Sequence, residues 1–174
     1  MTLFKNERDA KMKCLVFSDS HGSYYNMRRA LLIHSDAEVV FFLGDGLSDA
    51  EMLASEFPDK AWIAVRGNCD TQSFFRGAEV KKTESINLSG FRIILTHGDL
   101  FSVKYTTGAI CALAKRENAD VVLFGHTHMP YEEYVPGEHP FYLFNPGSAS
   151  LSGGASYGIL MLDTVPFLSH GAFL

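Results

Sequence analysis

Short apolar runs recur along the chain, and five of them stop at residues able to bind a metal. Cys14-Leu15-Val16-Phe17 runs into Ser18-Asp19-Ser20-His21, and Val39-Val40-Phe41-Phe42-Leu43 into Gly44-Asp45. Trp62-Ile63-Ala64-Val65 leads through Arg66 to Gly67-Asn68. Ile93-Ile94-Leu95 ends at Thr96-His97-Gly98, and Val121-Val122-Leu123-Phe124 at Gly125-His126-Thr127-His128. Continuous runs of this kind read as strands buried on both faces of a parallel sheet. In open α/β sheets, ligands gather beyond the carboxyl ends of the strands. Seven candidate ligands would then converge on one rim.

The pattern predicts strands at about Lys13 to Ser18, Val39 to Leu43 and Trp62 to Val65. Between them lie a helix over Asn26 to Ser35, with Met27, Ala30, Leu31 and Ile33 at helical spacing, and a helix capped by Ser48 or Asp49 that runs to Phe57 before Pro58. Asp70 to Arg76 reads as a loop or short helix. Glu79 to Asn87 and Phe91 to Thr96 flank a hairpin-like Leu88-Ser89-Gly90. A helix over Thr106 to Asn118 precedes the strand Val121 to Phe124. Strands Tyr131 to Val135, Phe141 to Phe144 and Tyr157 to Asp163 follow. Thr164 to Leu174 has little strand character and reads as a docked tail or a truncated final strand. A βαβαβ first half and a β-rich second half predict an α/β sandwich of two mixed sheets with helices outside.

Composition narrows this picture. A length of 174 residues suggests one domain, and 47% hydrophobic with 20% charged residues is ordinary for a globular chain. Residues 1–11 are polar and are expected to form a flexible N-terminal extension ahead of a single domain over 12–174. A formal net charge of −5 argues against nucleic acid or an anionic membrane as the main partner. A phosphate substrate stays open, since bound divalent ions reverse local charge. The apolar runs are too short for a transmembrane helix. Cys14, Cys69 and Cys111 lack metal-site spacing and suggest no disulfide framework, which points to the cytoplasm. All three read as core thiols.

Asp19-x-His21 and His126-x-His128 place two ligands at i and i+2, which face the same way in an extended segment. Asp45 offers two oxygens suited to bridging cations. Asn68 offers a neutral amide oxygen, and His97 an imidazole. Alone, several of these read as turn residues or satisfied core histidines. Together they form a mixed oxygen and nitrogen set without thiolates, which disfavours a structural zinc knot. The set suits manganese, iron, zinc, cobalt or nickel. Seven ligands exceed what one catalytic ion with an open position takes. Two ions sharing one carboxylate fit better, the arrangement that clamps attacking and leaving oxygens in phosphoryl displacement.

In this order, Asp-x-His, Gly-Asp, Gly-Asn-x-Asp, His-Gly and Gly-His-Thr-His resemble the calcineurin-like metallophosphoesterases. Arg66-Gly67-Asn68-Cys69-Asp70, Thr96-His97-Gly98, Gly125-His126-Thr127-His128 and Asn145-Pro146-Gly147-Ser148 resemble the small YfcE-type phosphodiesterases, whose fold retromer subunit 29 shares. The resemblance spans about Met12 to Asp163. It implies a four-layer α/β/β/α sandwich. It also implies one ion on Asp19, His21, Asp45 and His128, and a second on Asp45, Asn68, His97 and His126. Manganese is the first expectation, with iron, zinc, nickel or cobalt as alternatives. Asp45, Asn68 and His97 are the residues expected nearest the chemistry.

The implied activity is hydrolysis of a small phosphodiester by a metal-bridging hydroxide attacking phosphorus in line. Many members of the superfamily carry histidine after the Gly-Asn pair, where this chain has Cys69, a poorer acid near neutral pH. Two alternatives remain: a retromer-like interaction module, and a phosphomonoesterase or nucleotide hydrolase of the same superfamily. Asp70 could orient the Asn68 loop or be a surface carboxylate. Arg66 could meet phosphate. His34 reads as a boundary residue, and His139 and His170 as loop residues. The aromatic segment from Tyr131 to Phe144 reads as strand core, with an exposed part that could serve a homo-oligomer.

Overall fold

The computed structural model describes residues 11–150 and 154–173, so the expected flexible extension lies, apart from Lys11, outside the described residues. Two five-stranded mixed sheets face each other. The first contains β1 (Met12–Phe17), β2 (Val39–Phe42), β3 (Ala61–Ala64), β11 (Ser156–Leu162) and β12 (Pro166–Ala172). Its order is β12-β11-β1-β2-β3, with β1, β2 and β3 parallel, β11 antiparallel to β1, and β12 antiparallel to β11. The second contains β6 (Thr83–Leu88), β7 (Phe91–Thr96), β8 (Val121–Phe124), β9 (Pro130–Val135) and β10 (Phe141–Pro146). Here β7, β8 and β10 run parallel, and β6 and β9 form antiparallel edges.

Both faces of each sheet are covered, which is why the strands read as unbroken apolar runs. In β1 and β2, Leu15, Phe17, Val40 and Phe42 pack against helices α1 (Tyr24–Ile33) and α2 (Leu47–Glu56). Their alternates Cys14, Val16, Val39 and Phe41 meet Ile93, Leu95, Val121, Leu123 and Phe144 of the second sheet. Helix α3 (Gly108–Glu117) covers the far side through Ile110, Leu113 and Ala114, against Ile94, Val122 and Phe124. The result is the expected four-layer α/β/β/α sandwich. Among the described residues, no helix is long and apolar enough to cross a membrane.

Several local expectations change. β12 is a full seven-residue strand paired with β11 over its length, so of the docked tail and the truncated final strand expected there, the strand is found, and it is not truncated. Its Ser169, His170 and Gly171 have weak strand preference. Pairing to an already formed neighbour overrides that preference. His170 therefore stands on a strand, stacked on Phe144, with Nε2 2.8 Å from the Asn145 carbonyl oxygen. Over Asp70 to Arg76 there is no helix. The chain instead makes a minimal hairpin of β4 (Phe74–Phe75) and β5 (Ala78–Glu79), and β6 begins only at Thr83. Ser89 and Gly90 both have positive φ, as a type I′ hairpin turn requires. Tyr131 and Tyr134 are exposed on edge strand β9, while Phe141 and Phe144 are core.

Phe41 is fully buried between the sheets. Phe41→Ala should lower the unfolding free energy by roughly 3–5 kcal/mol, read from urea denaturation. An unchanged midpoint would mean that the layer between the sheets is not tightly packed.

Candidate metal centre

The parallel strands deliver their loops to one rim. Asp19 and His21 follow β1, Asp45 follows β2, Asn68 follows β3, His97 follows β7, and His126 and His128 follow β8. Asp19, His21, Asp45, His126 and His128 all have φ between 43° and 68°. The side chains of each i, i+2 pair thus share a target through left-handed turns, and the extended geometry expected from the sequence is absent. Such a conformation costs roughly 1–3 kcal/mol per non-glycine residue and persists only where the surroundings enforce it. Close packing enforces it here. A Cβ on Gly67 would lie 2.1 Å from Asp45 Oδ1, and one on Gly125 would lie 1.9 Å from Ser18 Oγ.

Each buried aspartate has one oxygen tied down and one turned toward imidazoles. Asp19 Oδ2 accepts from the Ser18 hydroxyl and from the His126 N–H at 3.0 Å. Asp19 Oδ1 is buried without a hydrogen bond. It lies 3.1 Å from His128 Nε2, 3.9 Å from His97 Nε2 and 4.0 Å from His21 Nε2. Asp45 Oδ1 accepts the Cys69 N–H at 2.8 Å, while Oδ2 stands 3.3 Å from His97 Nε2 and 3.9 Å from His21 Nε2. His97 Nδ1 is 2.8 Å from the Leu43 carbonyl, which can only accept, so Nδ1 carries a proton there. That leaves Nε2 facing Asp45 and, at 3.1 Å, His126 Nδ1.

Among the described residues three groups have the spacing to hold an ion, two of them free of thiol: Asp19, His21 and His128, and Asp45, His97 and His126. A buried carboxylate oxygen ringed by imidazole nitrogens, with no donor of its own, is the atom a cation would satisfy. Asn68 is exposed at the same rim, and its Nδ2 contacts the Cys69 sulfur. Cys69 is exposed as well, contrary to the core position expected for it. It belongs to a third close group with His21 and Asp45. Cys14 is buried and Cys111 half-buried. Arg66 Nη1 donates to Ser73 Oγ rather than pointing free.

Of the two readings offered for Asp70, orienting the Asn68 loop is the one found, while the role of Asp49 was missed. Asp70 accepts four backbone N–H groups, those of Asp45, Gly46, Leu47 and Gly67, at 2.8–2.9 Å. It therefore orients the Asn68 loop and fastens it to the Asp45 loop. Because Asp70 meets these amides, α2 needs no side-chain cap. Gly46 stands at its N-cap, and Asp49 instead accepts from Ser20 Oγ and Gly22 N–H. Buried Asn145 donates to the Gly125 carbonyl and to Thr127 Oγ1, and Ser148 donates to the Asp19 carbonyl. The Gly-Asn-Cys-Asp run hinted at the role of Asp70. Asp49 looked like an ordinary helix cap.

Burial alone would raise the Asp45 carboxyl, but His97 and the Cys69 N–H outweigh it and hold the pKa well below the usual range. Burial likewise opposes charge on His97, yet Asp45 and Asp19 carry its pKa above the ordinary value. His126 moves down, through burial and then through His97 and Lys104. The neighbouring Asp45 carboxylate pushes the Cys69 thiol up.

This fold and this cluster define a metal-dependent phosphoester hydrolase. Residues 12–165 match the calcineurin-like phosphoesterase superfamily domain, and the chain belongs to that superfamily. It is 34% identical over 181 residues to phosphodiesterase YfcE of Escherichia coli strain K12, covering 91% of this chain and 92% of that one. It is 33% identical over 156 residues to the probable metallophosphoesterase YsnB of Bacillus subtilis, covering 87% and 85%. The structure of vacuolar protein sorting 29 from Cryptosporidium parvum superposes with a TM-score of 0.71 at 19% identity, covering 94% of this chain and 98% of that one. That last likeness concerns the fold alone.

Asp70→Ala should leave four backbone donors unmet and destabilise the protein by about 3 kcal/mol, measured by denaturant unfolding. A loss below about 1 kcal/mol would show that water replaces the carboxylate. The shifted groups also set a pH dependence for the ion-free protein. Asp45 is depressed, so its contribution holds at neutral pH and fades under acid. His97 is raised, so its contribution is full below about 6.5 and is lost as pH rises through its folded value. The Tm gap between ion-free wild type and His97→Ala should therefore shrink from pH ~6 to pH ~9. A gap that stays constant would contradict the assignment.

Proposed function

We propose that this chain is a phosphodiesterase working with two divalent ions, manganese first among them, in a single domain over 12–174 in the cytoplasm. Asp19, His21, Asp45 and His128 would hold one ion, and Asp45, Asn68, His97 and His126 the other. The observation that carries this reading is Asp19 Oδ1, buried, without a hydrogen bond and within 4.0 Å of three imidazole nitrogens. The relative named a phosphodiesterase supports the substrate class. Bound there, two such ions would supply an acidified water and neutralise charge on the phosphoryl oxygens.

The chain's own residues prepare that chemistry. The Cys69 N–H fixes Asp45 Oδ1 and leaves Oδ2 free to be shared. The Leu43 carbonyl fixes the His97 tautomer and leaves Nε2 as the ligating atom. Ser18 and the His126 N–H do the same for Asp19. Cys69 stands exposed beside Asn68, with its thiol pKa raised, so it makes a weak acid for a departing alkoxide. That favours diesters with good leaving groups and disfavours the phosphomonoesterase reading.

Chelator-treated protein should be inactive on bis(p-nitrophenyl) phosphate, and manganese should restore turnover. Asp45→Ala and His97→Ala should each lower kcat/KM by at least about 100-fold, with the diester preferred over p-nitrophenyl phosphate. Wild-type turnover in a folded, metal-loaded variant would sink the mechanism. Preference for the monoester would move the assignment to a phosphomonoesterase.

A further inference from the structure

Beside the ligand cluster a cleft of about 250 Å³ opens among the loop after β1, the start of α2 and the loop after β3. His21, Asp45 and Cys69 line it, so it is continuous with the proposed ion site. The remaining lining includes Ser48, Thr71 and Gln72 and contains no lysine or arginine. Among the described residues, the Ser48 and Thr71 hydroxyls have no protein partner. Gln72 Nε2 makes two long contacts, at 3.4 Å to Glu51 Oε2 and 3.3 Å to the Phe74 carbonyl, which leaves its Oε1 as an acceptor. A second cavity near the rim, about 180 Å³, has an apolar lining that includes Val103, Phe124 and Met129. None of the seven candidate ligands borders it.

We infer that the polar cleft is the subsite for one ester substituent, and that it selects a small, uncharged, hydroxylated alcohol such as a glyceryl group. This rests on the phosphodiesterase reading above. The cleft is smaller than the ~300–1,000 Å³ of pockets that take drug-sized ligands, so the group is of polyol size. Its hydroxyl-rich wall offers partners that an alkyl group cannot use. Without a cation it has nothing to pair with a second phosphate.

The test uses two diesters with the same leaving group, glyceryl p-nitrophenyl phosphate and propyl p-nitrophenyl phosphate, on the manganese-loaded protein. In both, water adds to phosphorus, p-nitrophenolate leaves, and the alkyl or glyceryl phosphate remains. Wild type should favour the glyceryl ester about tenfold in kcat/KM, chiefly through KM. The Ser48→Ala, Thr71→Val double variant should erase that ratio. Thr71→Lys should improve a third ester that bears a terminal phosphate. No preference in wild type, or one that survives the double substitution, overturns the subsite.

Should the loaded protein cleave neither ester, the phosphodiesterase reading fails, and calorimetric binding of glyceryl phosphate against propyl phosphate reads the cleft alone. Tighter glyceryl binding lost in the double variant supports the subsite. Equal binding overturns it.

Discussion

Two carboxylates buried at the seam of an apolar sandwich set the terms for this structure. Asp19 and Asp45 are essentially inaccessible to solvent. A buried charge costs several kcal/mol unless donors and countercharges meet it. Backbone N–H groups and a hydroxyl meet one oxygen of each. The other oxygen of each is left to imidazoles, which are partners only when protonated or when all of them share a cation. The depressed Asp45 and raised His97 pKa values express this demand in the ion-free protein. A divalent ion answers it more completely, because it satisfies carboxylate and neutral imidazole together.

Meeting that demand requires five loops to close on one point, and the backbone is shaped accordingly. The left-handed turns at Asp19, His21, Asp45, His126 and His128 are unfavourable alone. They are held by contacts between loops. Asp70 fastens the Asp45 loop to the Asn68 loop, Asp49 fastens the Ser20 loop to α2, and Asn145 fastens the His126 loop to β10. Since each fastener bridges separate loops, the ligand positions are coupled.

The sheets and the converging strand ends were legible because both follow from periodicity. Runs such as Val39 to Leu43 have no polar face, and that requires cover on both sides. β12 was legible only as an alternative to a docked tail, since Ser169-His170-Gly171 carries little strand signal and depends on β11 for its pairing. The candidate ligand residues were legible as such from their place after apolar runs. Their backbone was not. Asp19-Ser20-His21 gives no local sign of left-handed turns, and the close neighbours of that loop, Gly125 against Ser18 and Asp19 and Gly46 against Ser20, lie far away in sequence. Cys69 was misjudged for a related reason. A cysteine is usually buried, but Cys69 follows the tight approach of Gly67 to Asp45 and its side chain is exposed.

That exposure divides the rim into a rigid side and an open one. On the rigid side, His97 is fully buried and Asp45 nearly so, and each has its second donor atom fixed by a backbone group. Cys69, Ser48 and Thr71 occupy the open side, where side chains are exposed and the cleft begins. On the proposed function, ion binding would depend on geometry that the core maintains, and recognition of the ester on groups that core packing does not constrain. The raised thiol pKa at Cys69 fits this division. A strong acid at the mouth would help expel many alcohols alike, whereas a weak one leaves the rate to the leaving group and to how well the cleft holds the ester.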